Sequence, residues 1–357
     1  MNKLRAVYNN FPVYNAGFPH FLRNFSRDSF VSGILSRNAP LLKEQLEFSA
    51  LKQGHINNPY TGEEPGKIHH EYPGVEIRNH STLYNACDTT SLFLIGHRAY
   101  KELMGGSSLA TSQRKNIESA VEYIVLHLEQ KLFKESPYHS GADKFALKVT
   151  YWKDSELQQR EDGEPVYPVV YPLAHVLSLS GIRSAAVILD SHELKVLSEE
   201  LAQVLPLLFD SELGGFYLAI DKLGQIKGCS SDSLHALFYL EHGDLTAEQL
   251  NSIIQSSKAI ETPIGYRTLD PNASKASSDQ YHISTVWPFE QAIIHSGAIK
   301  WGLNDIARVC ENIMGRLQNS DVEFFSIKDN GEISSGGCDP QLWTIAAKRY
   351  FSKTHSL

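Results

Sequence analysis

The sequence of 357 residues is long enough to bury a large core or to form two domains. Its 42% hydrophobic and 21% charged residues are ordinary for a globular protein. The formal net charge of -8, without a concentrated basic face, argues against a nucleic-acid-binding protein. The sequence contains neither a secretory signal nor about 18 consecutive apolar residues for a membrane span. We therefore expect a cytoplasmic protein without nucleic-acid or membrane partners, acting on a neutral, polyhydroxylated molecule.

The cysteine and histidine spacings indicate no cofactor. The cysteines are scattered and form no C-x-x-C pair, so neither a zinc site nor a disulfide framework is predicted. The paired histidines His69 and His70 have no neighbours at a convincing metal-ligand spacing. We expect no metal and four free thiols, namely Cys87, Cys229, Cys310 and Cys338.

Apolar residues at helical spacing predict a series of helices in the first part of the chain. The first spans Ser26–Ser36 and the second residues 40–52. Residues 54–80 are rich in Gly, Pro, Asn and His, and a loop of this length is usually functional or disordered. We favour the functional alternative. Helices are then predicted at residues 85–104 and 113–135.

The stretch from Thr150 to Glu156 carries a carboxylate in an aromatic setting, just ahead of a mostly apolar helix. Asp154 follows Tyr151 and Trp152, so it can lie at the rim of a pocket with an aromatic wall. Burial against aromatic rings disfavours the ionised carboxylate and raises its pKa, as a general acid for sugar chemistry requires. The alternative is a solvated Asp on a surface loop.

The second half of the chain again predicts mainly helices. Gly-rich residues 209–227 predict a short hairpin. Eleven or twelve helices in pairs, without repeated sequence, favour one domain over residues 1–357, with helical hairpins in a closed ring around a pocket. A solenoid of divergent pairs is the competing architecture. The predicted helices of this half span residues 171–179, 192–208, 232–242, 247–258, 285–300, 304–317 and 340–351.

Six segments together resemble the amylo-α-1,6-glucosidase part of glycogen-debranching enzymes, in the order found in that family. They are Arg27-Asp28, Glu64-Pro-Gly-Lys-Ile-His-His-Glu71, Tyr84-Asn-Ala-Cys-Asp-Thr-Thr90, Trp152-Lys-Asp154, Tyr281-His-Ile-Ser-Thr-Val-Trp-Pro288 and Gly337-Cys-Asp-Pro-Gln-Leu-Trp343. Jointly they are similar to the wider group of inverting (α/α)6-barrel glycosidases, which includes neutral invertases, trehalases and glucoamylases. The resemblance implies an all-α fold, an (α/α)6 barrel of six helical hairpins with long loops and a small β-hairpin at the pocket mouth.

The resemblance also implies residue roles for glycoside hydrolysis. Asp154 matches the general acid, and Glu323 stands at the family's spacing before Gln341-Leu-Trp343 for the general base, with Glu332 as the alternative. Tyr167 departs from the family, which usually has a Glu there, and the segment before Gly337 differs in length. Residues that match positions holding sugar hydroxyls or forming the pocket wall are Arg27, Asp28, Asp88, His282 and Trp287.

Each of these residues also has a purely structural interpretation. Arg27 and Asp28 can form an ion pair at a helix start, or present paired donors and acceptors to sugar hydroxyls. Asp88 can stabilise the positive end of a helix dipole, or bind sugar. Three aromatic residues can stack on sugar rings or pack in the core, namely Trp152, Trp287 and Trp343.

The resemblance therefore implies an inverting, exo-acting glycoside hydrolase on a small or oligosaccharide α-glucoside, with an α-1,6-linked one as a candidate. One alternative is a sugar isomerase or epimerase on a similar barrel, with His235 and His282 as its proton-transfer pair. The other is a catalytically silent carbohydrate-binding protein, because the region of the proposed base departs from the family.

Overall fold

A computed structural model describes residues 2–105, 108–157, 159–270, 281–328 and 330–354. The α-helices in these ranges are α1 (Ser26–Ser36), α2 (Ala39–Leu51), α3 (Thr89–Met104), α4 (Ser108–Ser112), α5 (Arg114–Leu126), α6 (Pro172–Leu189), α7 (His192–Gln203), α8 (Asp232–Tyr239), α9 (Ala247–Ser256), α10 (Pro288–Trp301), α11 (Asn304–Glu311), α12 (Met314–Leu317) and α13 (Leu342–Thr354).

Six of these helices form a closed inner ring. In circular order, α1 packs against α3, α3 against α6, α6 against α8, α8 against α10, α10 against α13, and α13 returns to α1. Among the outer helices, α2 bridges α1 and α3, α5 bridges α3 and α6, and α7 and α11 pack on α6 and α10. The predicted all-α (α/α)6 barrel is confirmed, and the solenoid alternative is wrong because the last helix closes on the first.

Residue composition explains which helices lie inside. The inner helix α6 is apolar over most of its surface, whereas the outer helix α11 buries a single stripe that includes Ile306 and Cys310. Gly181 of α6 lies against Ser91 of α3, and a Cβ at Gly181 would be 3.2 Å from the Ser91 Cα atom. Small residues therefore allow these two inner helices to approach closely.

Short strands lie in the segments that connect the helices. The largest sheet among the described residues has three antiparallel strands in the order β15-β16-β17, and it places the segment before α10 beside the segment before α13. The strands are β1 (Arg5–Tyr8), β2 (Phe11–Tyr14), β3 (Asn24–Phe25), β4 (Glu71–Tyr72), β5 (Glu76–Ile77), β6 (His80–Ser81), β7 (Leu128–Glu129), β8 (Leu132–Phe133), β9 (Phe209–Asp210), β10 (Gly215–Phe216), β11 (Ala219–Asp221), β12 (Gly224–Ile226), β13 (Glu261–Thr262), β14 (Gly265–Tyr266), β15 (Thr285–Val286), β16 (Phe324–Ile327) and β17 (Ile333–Gly336).

Several predicted helix boundaries are wrong because tertiary contacts override the apolar spacing. The helix predicted to reach residue 135 ends at Leu126, and a tight hairpin follows with Gln130 and Lys131 in the left-handed region. This turn buries Phe133 in the core. The helix predicted from residue 285 begins at Pro288, since Thr285 and Val286 pair with β16 instead.

Other predicted elements also differ in extent. The single hairpin predicted at residues 209–227 is two hairpins, β9-β10 and β11-β12. Helix α6 runs ten residues beyond its predicted end at Leu179, to Leu189. By length and composition alone α6 could cross a membrane, with a mean hydropathy of 1.4. However, 72% of it is buried inside the barrel, as in the core helix of a globular domain.

Candidate active site

A cavity of about 210 Å³ lies where the inner helices begin. Side chains from the first turns of α1 and α13, and from the segment just before α10, converge on it. The cavity is smaller than the roughly 300–1,000 Å³ of pockets for drug-sized ligands, so its size suits a single sugar ring. Its lining residues are Ala16, Phe21, Arg23, Phe25, Arg27, Asp28, His70, Glu71, Val75, Ile77, Thr82, Leu147, Trp152, Asp154, Tyr281, His282, Trp287, Glu323, Gln341 and Trp343.

Asp154 faces this cavity from the connection between α5 and α6. Its side chain keeps 29% of its surface exposed, and protein encloses the residue on the remaining sides. Burial raises the pKa of Asp154 from 3.8 to about 7, because desolvation and the nearby Asp88 outweigh the attraction of the Arg27 guanidinium. The expected rise in this pKa is confirmed, and at neutral pH a large fraction of the group carries a proton.

Arg27 of the cavity wall contacts two acidic side chains, Asp88 and Asp154. Its Nε and Nη2 atoms donate to the two carboxylate oxygens of Asp88 at 2.8 and 2.9 Å, and its Nη1 lies 3.9 Å from Asp154 Oδ2. The ion pair considered between Arg27 and Asp28 is therefore wrong. Asp88 precedes α3, makes no capping hydrogen bond with its side chain, and is outside the set of residues that line the cavity.

Glu323 lies at the cavity directly before β16. Its Oε2 accepts a hydrogen bond from the backbone N–H of Cys338 at 2.8 Å, and its Oε1 accepts one from the Tyr281 hydroxyl. Burial raises the pKa of Glu323, and both hydrogen bonds oppose that rise. Glu332, the alternative base, is exposed on the β16-β17 hairpin and pairs with Lys328 at 3.1 Å, away from the residues that line the cavity.

Asp28 is the third buried carboxylic acid in the cavity wall. It lies in the first turn of α1, where Gln341 Nε2 donates to its Oδ1 at 3.3 Å. Burial raises the pKa of Asp28 well above its usual range, with Glu323 and Asp154 adding to the effect. Because helix N-termini carry positive partial charge, the converging inner helices help to hold this concentration of carboxylates.

Aromatic rings form one wall of the cavity. Trp287 stacks on His282 with ring centroids 5.1 Å apart, and Trp152 meets both of them edge to face. Trp343 packs edge to face on Trp287 and stacks on Phe289 at 3.9 Å. The predicted tryptophans therefore pack with one another and also line the cavity, so their two interpretations are compatible.

The structure adds cavity residues that the sequence analysis did not assign to the site. The Arg23 Nε atom and the Thr82 hydroxyl both donate hydrogen bonds to Glu71. His70 is neutral, because burial and the Arg27 charge lower its pKa well below the usual range. The sequence pointed to some of these residues only in part. Four further residues that line the cavity lie within the six sequence segments named above, namely His70, Glu71, Tyr281 and Gln341.

The histidine pair of the isomerase alternative does not share this cavity. His282 lines it, and its Nδ1 is 2.6 Å from the Ser155 hydroxyl. His235 lies against Trp152, with its Nδ1 3.5 Å from Glu290, and is not one of the lining residues. His235 and His282, the pair on which the isomerase hypothesis depends, therefore do not face one shared cavity.

Comparison of the fold with solved structures identifies enzymes of similar architecture. The mannosylglycerate hydrolase of family GH63 from Thermus thermophilus, solved with Tris and D-glycerate, matches with a TM-score of 0.71 and 12% identity over 97% of both chains. The same enzyme with glucose gives 0.65 and 13% over 95% of both chains. A rhamnosidase from Klebsiella oxytoca with bound rhamnose gives 0.62 and 13%, over 97% of this chain and 60% of the other.

This chain has the helical-barrel fold of glycoside hydrolases. A GH78 rhamnosidase from a Bacillus species also matches, with a TM-score of 0.63 and 12% identity over 94% of this chain and 32% of the other. No protein-family model matches the sequence, and no curated protein matches it. At 12–13% identity these likenesses establish the architecture, and the chemistry has to be argued from the cavity.

Proposed function

We propose that this protein is an inverting, exo-acting glycoside hydrolase that removes one α-linked glucose unit. The observation that carries the proposal is that Asp154, with a pKa of about 7, and Glu323 both line one cavity of about 210 Å³. Glycoside hydrolysis by inversion uses one protonated carboxyl group at the leaving oxygen. A second carboxyl group, which is ionised, activates a water molecule on the opposite face of the sugar.

Asp154 is the proposed general acid. Its raised pKa leaves it partly protonated near neutral pH, so it can donate a proton to the glycosidic oxygen as the bond breaks. The Arg27 guanidinium, 3.9 Å away, stabilises the carboxylate that remains after the transfer. Asp88 anchors that guanidinium through two hydrogen bonds, which is a positioning role rather than a contact with sugar.

Glu323 is the proposed general base. Hydrogen bonds from Tyr281 and from the Cys338 N–H fix its carboxylate and favour its ionised form. An ionised Glu323 can accept a proton from the attacking water. The exposed position of Glu332, with its ion pair to Lys328, favours Glu323 over Glu332 for this role.

The cavity also supports a neutral sugar as the bound unit. Its ionisable wall has four carboxyl groups, from Asp28, Glu71, Asp154 and Glu323, against the two guanidinium groups of Arg23 and Arg27. These groups can form hydrogen bonds with sugar hydroxyls, and the tryptophan wall provides apolar faces for a sugar ring. The glucoside preference rests on the resemblance to amylo-α-1,6-glucosidases, and the GH63 enzyme of similar fold was solved with glucose.

Hydrolysis of a panel of α-linked glucose disaccharides, followed by proton NMR, tests the proposal. We expect β-glucose as the first product, and little turnover by Asp154→Asn or Glu323→Gln. Asp143→Asn is the matched control, because the Asp143 side chain is 81% exposed. Full activity in Asp154→Asn would overturn the mechanism. If sugars raise the Tm but none is hydrolysed, the carbohydrate-binding alternative replaces it.

A further inference from the structure

A cluster of side chains with metal-ligand atoms lies outside the cavity. It consists of Glu64, His127 and His139, each of which offers one ligand atom, and these atoms lie within 4.8 Å of one another. Glu64 belongs to the loop before α3, His127 follows α5, and His139 lies in a single helical turn, Pro137–Ser140. The cluster therefore joins separate segments of the chain.

His127 is oriented as a metal ligand usually is. Its Nδ1 lies 3.0 Å from the backbone oxygen of Lys134, and its Nε2 forms a hydrogen bond of 2.7 Å with Glu64 Oε2, which a bound cation would replace. Histidines that bind metals commonly donate the other ring N–H to a carbonyl or carboxylate in this way. The residue is buried, so the ring has little freedom to leave this orientation.

The Glu64 carboxylate is also held in one orientation by its hydrogen bonds. Lys67 Nζ donates to its Oε1 at 3.0 Å, which leaves Oε2 directed at His127. Lys67 Nζ and His127 Nε2 thus each contact one oxygen of the Glu64 carboxylate.

A second buried carboxyl group lies beside the cluster. Glu135 is 1% exposed, and neither of its side-chain oxygens has a hydrogen-bond partner among the described residues. Its Oε1 is 3.8 Å from Lys67 Nζ, a distance that makes an ion pair without a hydrogen bond.

His139 completes the cluster from the solvent side. Its ring lies 4.1 Å from the His127 ring, centroid to centroid, and the residue is exposed. An exposed ligand also provides the entry path for an ion.

We propose that Glu64, His127 and His139 form a binding site for a divalent transition-metal cation, Zn²⁺ in particular. Two imidazoles and one carboxylate are a donor set that Zn²⁺ accepts, and they leave a fourth position for water. The ion fastens the loop that carries Glu64 to the connection between α5 and α6. The same loop continues to His70 and Glu71 in the cavity wall, so the ion braces that wall.

Zn²⁺ titration of the full chain, after removal of metals with a chelator, tests this site by isothermal calorimetry. We expect one Zn²⁺ per chain, a Tm that rises with Zn²⁺ concentration, and no comparable response to Mg²⁺. His139→Ala should weaken Zn²⁺ binding at least 10-fold, because loss of an outer-shell partner alone typically costs 10–100-fold. His139 is exposed, so its replacement leaves the core intact.

The matched control is His55→Ala, since His55 is another exposed histidine on the loop between α2 and α3. It should bind Zn²⁺ like the wild type, and circular dichroism of each metal-free variant checks folding. Failure of the wild type to bind one Zn²⁺, or wild-type affinity in His139→Ala, overturns the proposal. Equal weakening by His55→Ala also overturns it, because binding would then be nonspecific. His139→Gln provides a second variant should His139→Ala misfold.

Discussion

At the scale of single residues, two carboxyl groups on one cavity have different surroundings. Asp154 faces Arg27 across 3.9 Å and makes no shorter ion pair, so burial dominates its pKa. Glu323 receives hydrogen bonds from Tyr281 and Cys338, which favour its ionised form. Burial raises the pKa of both groups, but these two hydrogen bonds oppose the rise at Glu323, so we assign Asp154 the proposed role of acid and Glu323 that of base.

The pH dependence of activity follows from the Asp154 pKa. A general acid must be protonated, so kcat/KM should fall as the pH rises through about 7. Asp154→Asn should lower kcat by about 10²–10⁴-fold and remove this alkaline limb. The measurement is a pH–rate profile on the best α-glucoside of the panel. An unchanged alkaline limb in Asp154→Asn would exclude Asp154 as the titrating acid.

The same pKa predicts a cost in stability. The folded-state pKa of about 7 exceeds the ordinary value of 3.8, so the folded protein binds the proton more tightly. This contribution to stability is complete below about pH 4 and is lost as the pH rises to about 7. Asp154→Asn should therefore raise the free energy of unfolding at pH 8 by on the order of 1–3 kcal/mol.

Urea unfolding at pH 8 and at pH 4 measures this difference. The gain from Asp154→Asn should be present at pH 8 and small at pH 4. Asp143→Asn should show no such dependence, because its carboxylate is 81% exposed. Equal stability of wild type and Asp154→Asn at pH 8 would contradict the raised pKa.

At the scale of secondary-structure elements, the site depends on contacts between helix starts and loops. Arg27 in α1 and Asp88 before α3 form a buried pair with side chains 5% and 1% exposed. This pair joins two neighbouring inner helices at their N-termini. The loop before α3 is held from the other side, since Gly66 packs directly on the backbone of α5.

Breaking the buried ion pair should be costly. Asp88→Asn leaves the buried Arg27 charge without its bidentate partner, so we expect a loss of about 3–5 kcal/mol in the free energy of unfolding. Glu118→Gln is the control, because its pair with Arg114 is exposed and should be worth less than about 1 kcal/mol. Denaturant unfolding of both variants measures the difference. Similar small losses would show that Asp154 compensates for Asp88.

Gly66 should be intolerant of a side chain. Its φ is +84°, and a Cβ atom there would lie 2.0 Å from the backbone oxygen of Ser119 in α5. Gly105 has a φ of +64°, but a Cβ atom added there would meet no atom of the described residues within 4 Å, so Gly105→Ala carries the backbone strain alone. Gly66→Ala should therefore be at least about 2 kcal/mol more destabilising than Gly105→Ala. Thermal unfolding of both variants compares them, and equal Tm values would contradict the close packing.

At the scale of the whole molecule, ring closure brings distant parts of the sequence to one cavity. Helix α13 packs against both α1 and α10, and Trp343 at its start lines the cavity beside Trp287. The ring has a common core that runs through all six inner helices. Loss of one inner helix therefore exposes apolar surface on both of its neighbours.

Removal of residues 342–357 should destroy cooperative folding. The remaining chain would expose the faces of α1 and α10 that α13 covers. We expect a broad thermal transition by circular dichroism and binding of a hydrophobic dye, as in a molten globule. Removal of residues 355–357 alone is the control and should leave a sharp transition. A sharp transition in the longer truncation would mean that the other helices fold independently of closure.

Local patterns in the sequence determined most of the helices, because apolar spacing reports which face of a helix is buried. Helix α1 has the predicted bounds Ser26–Ser36, and the series of predicted helices indicated helical pairs. The aromatic setting of Asp154 likewise pointed to a raised pKa before any distance was known. These features depend on neighbouring residues in the chain.

Only the tertiary structure decided which residues meet. Arg27 pairs with Asp88 rather than its neighbour Asp28, because the packing of α3 against α1 places the starts of these two helices side by side. The hydrogen bond from Tyr281 to Glu323 and the strand at Thr285–Val286 arise from the sheet between two helix starts. Such contacts depend on the three-dimensional path of the chain, which local periodicity does not record. The sequence supplied the groups of the cavity, and closure of the ring brought them together.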